Sequence, residues 1–501
     1  MTPRIWIMLP ILLLLTAASG GVRVDTPQGP VEGQASGDVE IFRGIPYAAP
    51  PVGAARWRAP GEAPKWANVR DASAFGPICT QRAPATLPQL KASPQSEDCL
   101  TLNIWRPANA KGAPVMLWIH GGANLFGSGS EPYYDGSAFA RRGVVLVTIN
   151  YRLGHLGFFG HPALKGGNEN LVNYGLLDQI AALKWVRANI ASYGGDPGKV
   201  TIFGESAGGA AVLNLMGAPS AKGLFAAAIV QSGGGLVTAK NAASVTEEGK
   251  MLAEKMGLRE PTIEALRALP ADRFIDPALP RPAPGFGAVP GGAEMKEAPL
   301  AALRAGRAAN VPLIIGVNSN EGSLVDSWGM KDEQVLALLG GRAPAIADAY
   351  GKLAADTRPY ARRLYGDVIF LYPARAIARA AQKRAPAWLY YFDYVPDAAR
   401  ESRAGVNHAA EIPFVFDMEE SASSIARSGK DKAFARGINS CFAAFAVSRD
   451  PAKAPFCENW SAYDADADNW FVFRDTPAQS TGLFKRQLDA IGAALRRFGL
   501  D

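Results

Sequence analysis

The stretch at residues 200–209, VTIFGESAGG, constrains the fold more than any other part of this 501-residue chain. It begins with a short apolar, β-branched run that is typical of a buried strand. A G-x-S-x-G turn centred on Ser206 follows, and the apolar segment 210–216 then predicts a helix. A strand, a sharp turn and a helix in direct succession are the structural context of a nucleophilic serine.

The turn explains why glycine stands on both sides of Ser206. We expect a side chain at Gly204 or Gly208 to clash with the neighbouring strand or helix. Ser206 would then project its hydroxyl from the sheet edge at a helix N-terminus. That end carries partial positive charge and free N–H groups, which favour a developing anion. The alternative is an ordinary glycine-rich turn, but the flanking strand and helix favour a nucleophile.

The first twenty residues are typical of a targeting segment. Arg4 supplies a basic start, residues 5–15 are apolar, and residues 17–20 are small, as at a cleavage site. The apolar run is too short to span a bilayer, although an uncleaved anchor is the alternative. The sequence therefore predicts a signal peptide at 1–20 and an exported protein, either periplasmic or secreted.

Residues 21–501 are expected to form one domain, because no linker, repeat or low-complexity run divides them. No second apolar run of about eighteen residues or more follows the leader, so we expect no stable membrane insertion. The net charge of +6 is spread along the chain without a basic block, which argues against nucleic acid as a partner. We expect a monomer.

The chain has four cysteines, and an exported chain with an even number favours disulfides. Of the three possible arrangements, the sequence-local one pairs Cys79 with Cys99 and Cys441 with Cys457. Each bond would stabilise the fold by about 3 kcal/mol in the chain-entropy model. Buried free thiols are the alternative. There is no C-x-x-C pair and no HExxH motif, so we expect no metal and no cofactor.

Apolar runs punctuated by turns predict a series of strands, and apolar spacing predicts a helix at 176–190. Strands that alternate with helices indicate an α/β fold with a largely parallel sheet. The predicted strands are 22–24, 29–33, 39–42, 100–105, 114–119, 143–149, 200–203, 224–230 and 311–317.

Many short segments, in order, resemble the type-B carboxylesterases, the α/β-hydrolase group that includes cholinesterases and bacterial para-nitrobenzyl esterases. The resemblance implies the α/β-hydrolase fold: a central, mostly parallel, twisted sheet flanked by helices, with long insertions that form a gorge or lid. The matching segments are FRGIPYA at 42–48, SEDCL at 96–100, WIHGGA at 118–123, NYRLG at 150–154, DQ at 178–179, GGDP at 194–197, FGESAGG at 203–209, QSG at 231–233, GVNSNEG at 316–322 and HAAEIPFVF at 408–416.

A serine hydroxyl needs a base to take its proton, and the chain has only four histidines. His408 lies in the segment that is similar to the family's histidine segment. It also lies C-terminal to Ser206, as the α/β-hydrolase chain order requires, so we assign it as the base. His120 begins a glycine-rich turn and is interpreted as a scaffold residue, and His155 and His161 lie in a Gly- and Phe-rich loop.

The base in turn needs a carboxylate to fix its tautomer. Glu321 lies between Ser206 and His408 in the chain, follows an apolar strand and matches the family's acid position. Asp326 is the second candidate, and a simple turn or helix-capping role is the alternative for either residue. For Glu205, the resemblance suggests a buried carboxylate in a polar network near His408, whereas a surface glutamate is the alternative.

Attack on an ester places negative charge on the former carbonyl oxygen, which preorganised N–H groups stabilise. Ala207, the residue after the serine, would supply one of these donors. The turn that begins with Gly121 would supply the others, and by family correspondence the donors are Gly122 and Ala123. Small residues let the backbone approach a substrate closely. An ordinary strand-to-loop turn is the alternative.

Together these residues predict a serine carboxylic ester hydrolase that acylates Ser206, releases an alcohol and hydrolyses the acyl-enzyme. The alternatives are a catalytically inactive adhesion or binding protein on the same fold, and amidase or thioesterase activity. The loop between Cys79 and Cys99 has no aromatic residue, whereas cholinesterases have a tryptophan there for the choline cation. We therefore expect a neutral small-molecule ester. Residues 234–300 and 326–375 are expected to build the gorge and lid.

Overall fold

The computed structural model describes residues 21–164, 172–234, 240–279, 286–292, 294–337, 343–418 and 427–497. The predicted signal peptide at 1–20 lies outside the described residues, as do parts of the two predicted gorge and lid segments. Within the described ranges, no helix has the length and apolar character needed to cross a membrane.

A thirteen-stranded sheet forms the centre of the described structure, beside a separate two-stranded sheet. Every strand predicted from the sequence is present, with bounds shifted by a few residues. The strands are β1 (Gly21–Thr26), β2 (Gly29–Ser36), β3 (Val39–Pro46), β4 (Arg70–Asp71), β5 (Ile78–Cys79), β6 (Gln95–Ser96), β7 (Thr101–Pro107), β8 (Ala113–Ile119), β9 (Val145–Ile149), β10 (Gly195–Glu205), β11 (Ala227–Gln231), β12 (Leu313–Asn318), β13 (Ala387–Phe392), β14 (Asn469–Phe473) and β15 (Ala478–Thr481).

The strand order in the large sheet is β1-β2-β3-β7-β9-β8-β10-β11-β12-β13-β14-β15, and β4 pairs with β2. From β9 to β14 every neighbouring pair is parallel. The pairs β1–β2, β2–β3, β3–β7, β7–β9 and β14–β15 are antiparallel. The prediction of a largely parallel α/β sheet is confirmed for the centre. Two-residue turns join β1 to β2 and β2 to β3, and such a short turn can connect only antiparallel strands.

Helices cover the sheet, and the helix predicted at 176–190 is present as α4. The helices are α1 (Pro88–Ala92), α2 (Ser137–Arg141), α3 (Gly154–Gly157), α4 (Tyr174–Asn189), α5 (Ala207–Gly217), α6 (Ala242–Lys255), α7 (Ile263–Ala268), α8 (Pro299–Arg304), α9 (Ser323–Ser327), α10 (Asp332–Ala337), α11 (Ala343–Ala347), α12 (Thr357–Gly366), α13 (Tyr372–Ala381), α14 (Ile412–Val415), α15 (Gly429–Ser448) and α16 (Lys485–Arg497).

Strand β8 shows how the core is divided between the two faces of the sheet. Val115, Leu117 and Ile119 belong to one buried apolar cluster, which includes residues of α4 and α5. Met116 and Trp118 belong to a second cluster, which includes residues of α15. Successive side chains of a strand point to opposite faces, so a strand that is buried on both faces is apolar throughout. The continuous apolar runs of the sequence have this physical origin.

The four cysteines form the two sequence-local pairs. Cys79 is bonded to Cys99 with an S–S distance of 2.00 Å, and Cys441 is bonded to Cys457 with an S–S distance of 2.06 Å. The first bond closes a loop that contains α1, and the second ties α15 to the segment that follows it. We refer to residues 79–99 as the disulfide loop.

Candidate active site

Ser206 lies at the turn between β10 and α5, with φ 56° and ψ −121°, a conformation that is strained for a residue other than glycine. Its N–H donates a 2.9 Å hydrogen bond to Gln231 O, which ties the turn to β11. A Cβ added to Gly204 would lie 2.6 Å from Ile119 O, and one added to Gly208 would lie closer still to the same atom. The expected clash is confirmed at both glycines: β8 causes it at Gly208, and β8 and α5 together cause it at Gly204.

His408 lies on the segment before α14, and its ring contacts Glu321, which follows β12. The distance from His408 Nδ1 to Glu321 Oε2 is 2.5 Å. The other oxygen, Glu321 Oε1, accepts hydrogen bonds from Ser232 Oγ at 2.5 Å and from Asn318 N at 2.8 Å. Because a carboxylate has only acceptors, Nδ1 must carry the proton, and Nε2 is left as the basic nitrogen.

Asp326, the second candidate for the acid, has a different environment. Its side chain is 45% exposed, and it pairs with Arg358 and, at 3.1 Å, with Arg362. Glu321 is only 1% exposed. Asp326 lies within α9 and is held by surface arginines, whereas Glu321 precedes that helix and contacts the histidine. The geometry therefore favours Glu321 as the residue that orients His408.

Two further buried carboxylates surround His408. Glu205 is 3% exposed, so it is not the surface glutamate that the sequence left open, and its Oε1 lies 3.1 Å from His408 Nε2. Glu411 is fully buried and accepts a hydrogen bond from Asn318 Nδ2. Burial raises the pKa of Glu205 well above its usual range and raises the pKa of Glu411 to about 7. The protonation of each of these two carboxyl groups therefore depends on whether His408 is protonated, and the reverse also holds.

The histidine responds to this surrounding negative charge. Burial lowers the pKa of His408, but the carboxylates of Glu205 and Glu321 outweigh this effect and raise the pKa to about 9. Nε2 thus faces Glu205, and no hydrogen bond joins the Ser206 hydroxyl to the ring within the described residues. Catalytic hydrogen bonds are often long or unformed in a free enzyme and tighten when substrate binds.

The loop from Gly121 to Ala123 follows β8 and passes directly beside Ser206. A Cβ added to Gly121 would lie 2.7 Å from Glu205 Oε2 and 3.2 Å from Ser206 Cβ. Gly122 has φ 92° and Ala123 has φ 56°. Within the described residues, neither of these two N–H groups donates a backbone hydrogen bond. They are therefore available to a substrate.

Ala207 opens α5, and the N–H groups of a helix's first turn have no intrahelical acceptor. Its N–H group lies next to Ser206 in the chain. The sequence assigned Gly122, Ala123 and Ala207 to one oxyanion hole, and the structure places Gly121, which begins the loop, and the start of α5 beside Ser206.

His120 supports the loop that begins after it. It is buried, its ring stacks on Tyr151 with centroids 4.5 Å apart, and its Nδ1 lies 2.9 Å from Gly121 O. Burial lowers the pKa of His120 to about 4. This neutral ring matches the predicted scaffold role. His155 lies in α3 rather than in a loop, which corrects the expectation, whereas His161 lies in a loop and its Nδ1 accepts a 3.1 Å hydrogen bond from Ala163 N.

The sequence analysis did not single out Ser232, Asn318 or Glu411, although all three lie in segments that carried the family resemblance. Their importance depends on contacts between β11, β12 and the start of α14, which no local pattern reveals. Across the described ranges, no group of three or more His, Cys, Asp or Glu side chains is arranged to hold a metal ion.

Comparison with known proteins identifies the family of this chain. The Carboxylesterase family matches residues 21–339 and 345–491. Para-nitrobenzyl esterase of Bacillus subtilis (strain 168) is 37% identical over 474 residues, which cover 88% of this chain and 92% of that protein. Fumonisin B1 esterase of Sphingopyxis macrogoltabida is 39% identical over 408 residues, which cover 78% of this chain and 74% of that protein.

Solved structures lead to the same family. A para-nitrobenzyl esterase structure superposes with a TM-score of 0.83 at 32% identity, covering 94% of this chain and 99% of that one. A carboxylesterase from Geobacillus stearothermophilus superposes with a TM-score of 0.82 at 34% identity, covering 93% and 99%. The chain therefore belongs to the type-B carboxylesterase family, with the α/β-hydrolase fold, and is a carboxylic ester hydrolase.

Proposed function

We propose that this esterase works through an acyl-enzyme on Ser206, with His408 as the base and Glu321 as the acid that orients it. The observation that carries the proposal is the 2.5 Å contact between His408 Nδ1 and Glu321 Oε2. This contact leaves Nε2 as the nitrogen that can accept a proton. Glu205, which precedes Ser206 in the chain, lies 3.1 Å from that nitrogen and so links the ring to the serine turn.

Acylation begins when Ser206 Oγ attacks the carbonyl carbon of the ester while His408 Nε2 takes the hydroxyl proton. The carbonyl oxygen becomes an oxyanion that accepts hydrogen bonds from the N–H groups of Gly122, Ala123 and Ala207. Each donor contributes about 3 to 4 kcal/mol to the stability of such an intermediate in other hydrolases.

Collapse of the intermediate breaks the bond to the alcohol oxygen, which takes the proton from Nε2 and leaves. A water molecule then repeats the sequence: it attacks the acyl-enzyme, gives its proton to His408 Nε2, and releases the carboxylic acid as Ser206 regains its proton. Glu321 stays as the carboxylate and stabilises the imidazolium in both halves. Glu205 and Glu411 add negative charge around the ring when they are ionised, which their burial opposes.

The expected substrate is a neutral small-molecule ester. The disulfide loop has no aromatic residue to hold a quaternary ammonium group. We also propose that residues 21–501 form one domain that acts as a monomer. The central sheet supports a single domain, because its strands come from β1 near residue 21 to β15 near residue 480.

We also propose that residues 1–20 are removed and that the protein is exported to the periplasm or the medium. Two disulfides support this location, since such bonds persist in oxidising compartments.

The test compares hydrolysis of para-nitrophenyl butyrate and of the matched anilide by the wild type and by Ser206→Ala. We expect rapid ester hydrolysis, slow anilide hydrolysis, and a loss of about a millionfold in kcat for the variant. Ser244→Ala is the control: it makes the same substitution at a serine of α6 and should keep full activity. A Ser206→Ala protein with near wild-type turnover would refute the mechanism. If the wild type hydrolyses the anilide faster than the ester, its main activity is that of an amidase.

A further inference from the structure

A cavity of about 340 Å³ lies between the disulfide loop and α9. We refer to it as the Arg82 cavity. Its walls are mainly apolar and aromatic, with two formally charged side chains, Arg82 and Asp276, among the lining residues. The aromatic and apolar wall includes Leu125, Phe126, Phe274, Phe286 and Trp328.

The Arg82 cavity begins where the proposed oxyanion loop ends. Leu125 N and Phe126 N both donate to Gly122 O, at 2.9 and 3.2 Å, so the two wall residues belong to the same tight turn as the oxyanion donors. A substrate whose carbonyl oxygen accepts hydrogen bonds from Gly122 and Ala123 has this wall beside it. One end of the ester can therefore extend into the cavity and bury its carbon chain against these side chains.

Neighbouring contacts hold the backbone beside Arg82 against this wall. The preceding residue, Gln81, is buried and exchanges two hydrogen bonds with Gly127: Nε2 donates to Gly127 O at 2.9 Å, and Gly127 N donates to Gln81 Oε1 at 2.7 Å. The bond from Cys79 to Cys99 anchors the same loop. The disulfide loop is thus clasped to the segment that follows the oxyanion turn, and Arg82 comes directly after the clasp.

The charge of Arg82 is not neutralised by its surroundings. The residue is exposed and forms no hydrogen bond or ion pair with any residue in the described part of the chain. Glu97 of the same loop is already paired with Arg56 at 2.5 Å. Asp276 Oδ1 accepts a 2.8 Å hydrogen bond from Ala278 N, and no ion pair joins Asp276 to Arg82 within the described ranges. The Arg82 cavity therefore offers an unpaired guanidinium above an apolar wall.

We propose that Arg82 binds a carboxylate at the far end of the substrate, so that the preferred esters carry a free acid group separated from the reacting carbonyl by an apolar chain. The planar guanidinium matches a carboxylate with two parallel hydrogen bonds. The inference rests on the proposed function, since the ester must sit at Ser206 for its far end to reach the cavity. It adds a distal negative charge to the neutral ester that the sequence alone predicts.

The test uses mono-para-nitrophenyl esters of straight-chain dicarboxylic acids, from adipic to sebacic, each paired with the compound in which a carboxamide replaces the free acid. The pair keeps shape and leaving group and changes only the charge. We expect wild-type kcat/KM to be higher for the acid than for the amide at one or more chain lengths. Arg82→Gln should lower that acid-to-amide ratio by about tenfold, as for loss of a hydrogen bond to a charged group.

One further variant controls for long-range charge, and another changes the negative charge of the cavity itself. Lys91→Gln removes a positive charge from the same disulfide loop at an exposed position that does not line the cavity, and it should leave the ratio as in the wild type. Asp276→Asn keeps the acceptor for Ala278 N but removes the negative charge of the cavity, and it should raise the ratio. The preference should also weaken as ionic strength rises.

The outcomes separate the inference from the function on which it rests. If the wild type hydrolyses both esters of every pair at equal rates, or if Lys91→Gln lowers the ratio as much as Arg82→Gln, the carboxylate site is refuted while the esterase mechanism stands. If the wild type hydrolyses none of these esters and no para-nitrophenyl butyrate, both the site and the proposed function fail.

Discussion

Two carboxylates five positions apart show how the catalytic centre differs from the surface beside it. Glu321 is buried, and His408, Ser232 and Asn318 use both of its oxygens. Asp326 is 45% exposed and is paired with surface arginines. In the centre both oxygens of Glu321 have hydrogen-bond partners, which fix the direction of its carboxylate. At the surface the charges are screened by water and contribute little to stability. The same carboxylate chemistry therefore orients a base at Glu321, whereas at Asp326 it only forms exposed ion pairs on a surface helix.

The prediction with the largest expected effect tests this difference between Glu321 and Asp326. Glu321→Gln should lower kcat for para-nitrophenyl butyrate by about 10⁴-fold, the scale observed for a triad acid elsewhere, because an amide can hold the wrong tautomer of His408. Asp326→Asn is the matched control, with the same loss of one charge, and should change kcat by less than about twofold, as for an exposed ion pair. Similar, mild losses in both variants would assign the acid to another residue.

A second prediction concerns Glu205, whose Oε1 lies 3.1 Å from the basic nitrogen of His408. Only the neutral histidine can take the serine proton, so kcat/KM should rise with pH through the pKa of His408, which the carboxylates raise to about 9. A nearby negative charge favours the imidazolium, so its removal lowers the histidine pKa. Glu205→Gln should therefore shift the rising limb to lower pH by about one unit or more.

The pH profile of kcat/KM from neutral to alkaline conditions is the measurement, with Asp326→Asn as the control that should leave the limb in place. An unchanged limb in Glu205→Gln would mean that Glu205 is protonated in the free enzyme and adds no charge to the ring.

The smallest effect is expected for the charge of the alcohol part of the substrate, which we test at the Arg82 cavity. Trp328 is 41% exposed and lines the Arg82 cavity, so it is an aromatic surface that could hold a cation in place of the tryptophan that the disulfide loop lacks. The positive charge of Arg82 on the same wall opposes this. Butyrylcholine should therefore be hydrolysed no faster than its neutral dimethylbutyl isostere, although a desolvated cation–π contact would give about thirtyfold or more.

Values of kcat/KM for the two esters at equal ionic strength test this, with inhibition by tetramethylammonium as a second readout. A tenfold preference for the choline ester that Trp328→Leu abolishes would show that the cavity is a cation site.

The comparison also explains which parts could be predicted from the sequence. The G-x-S-x-G turn, the strand at 200–203 and the helix after it are local patterns, and the structure confirms all three. Strand β10 extends back to Gly195 because it continues to pair with β8 across an irregularity between Gly195 and Val200. A local apolar pattern cannot predict that extension.

Long-range contacts account for what the sequence did not reveal. The apolar strand before Glu321 and its match to the family's acid position favour it over Asp326, but only the fold brings Glu321 to His408 and turns Asp326 outward. Glu411 was missed because its burial depends on the packing of α14 against the end of β12. Arg82 lies in a loop whose sequence has no recognisable pattern, and its position depends on the clasp between Gln81 and Gly127.

The central claim is that Ser206 carries the acyl group, and covalent labelling tests it most directly. Residues 21–501 would be treated with a fluorophosphonate probe, digested and mapped by mass spectrometry. The account predicts one stoichiometric adduct on the peptide that contains Ser206, no adduct in Ser206→Ala, and a normal adduct in the Ser244→Ala control. Stoichiometric labelling at one site in the Ser206→Ala protein would contradict it.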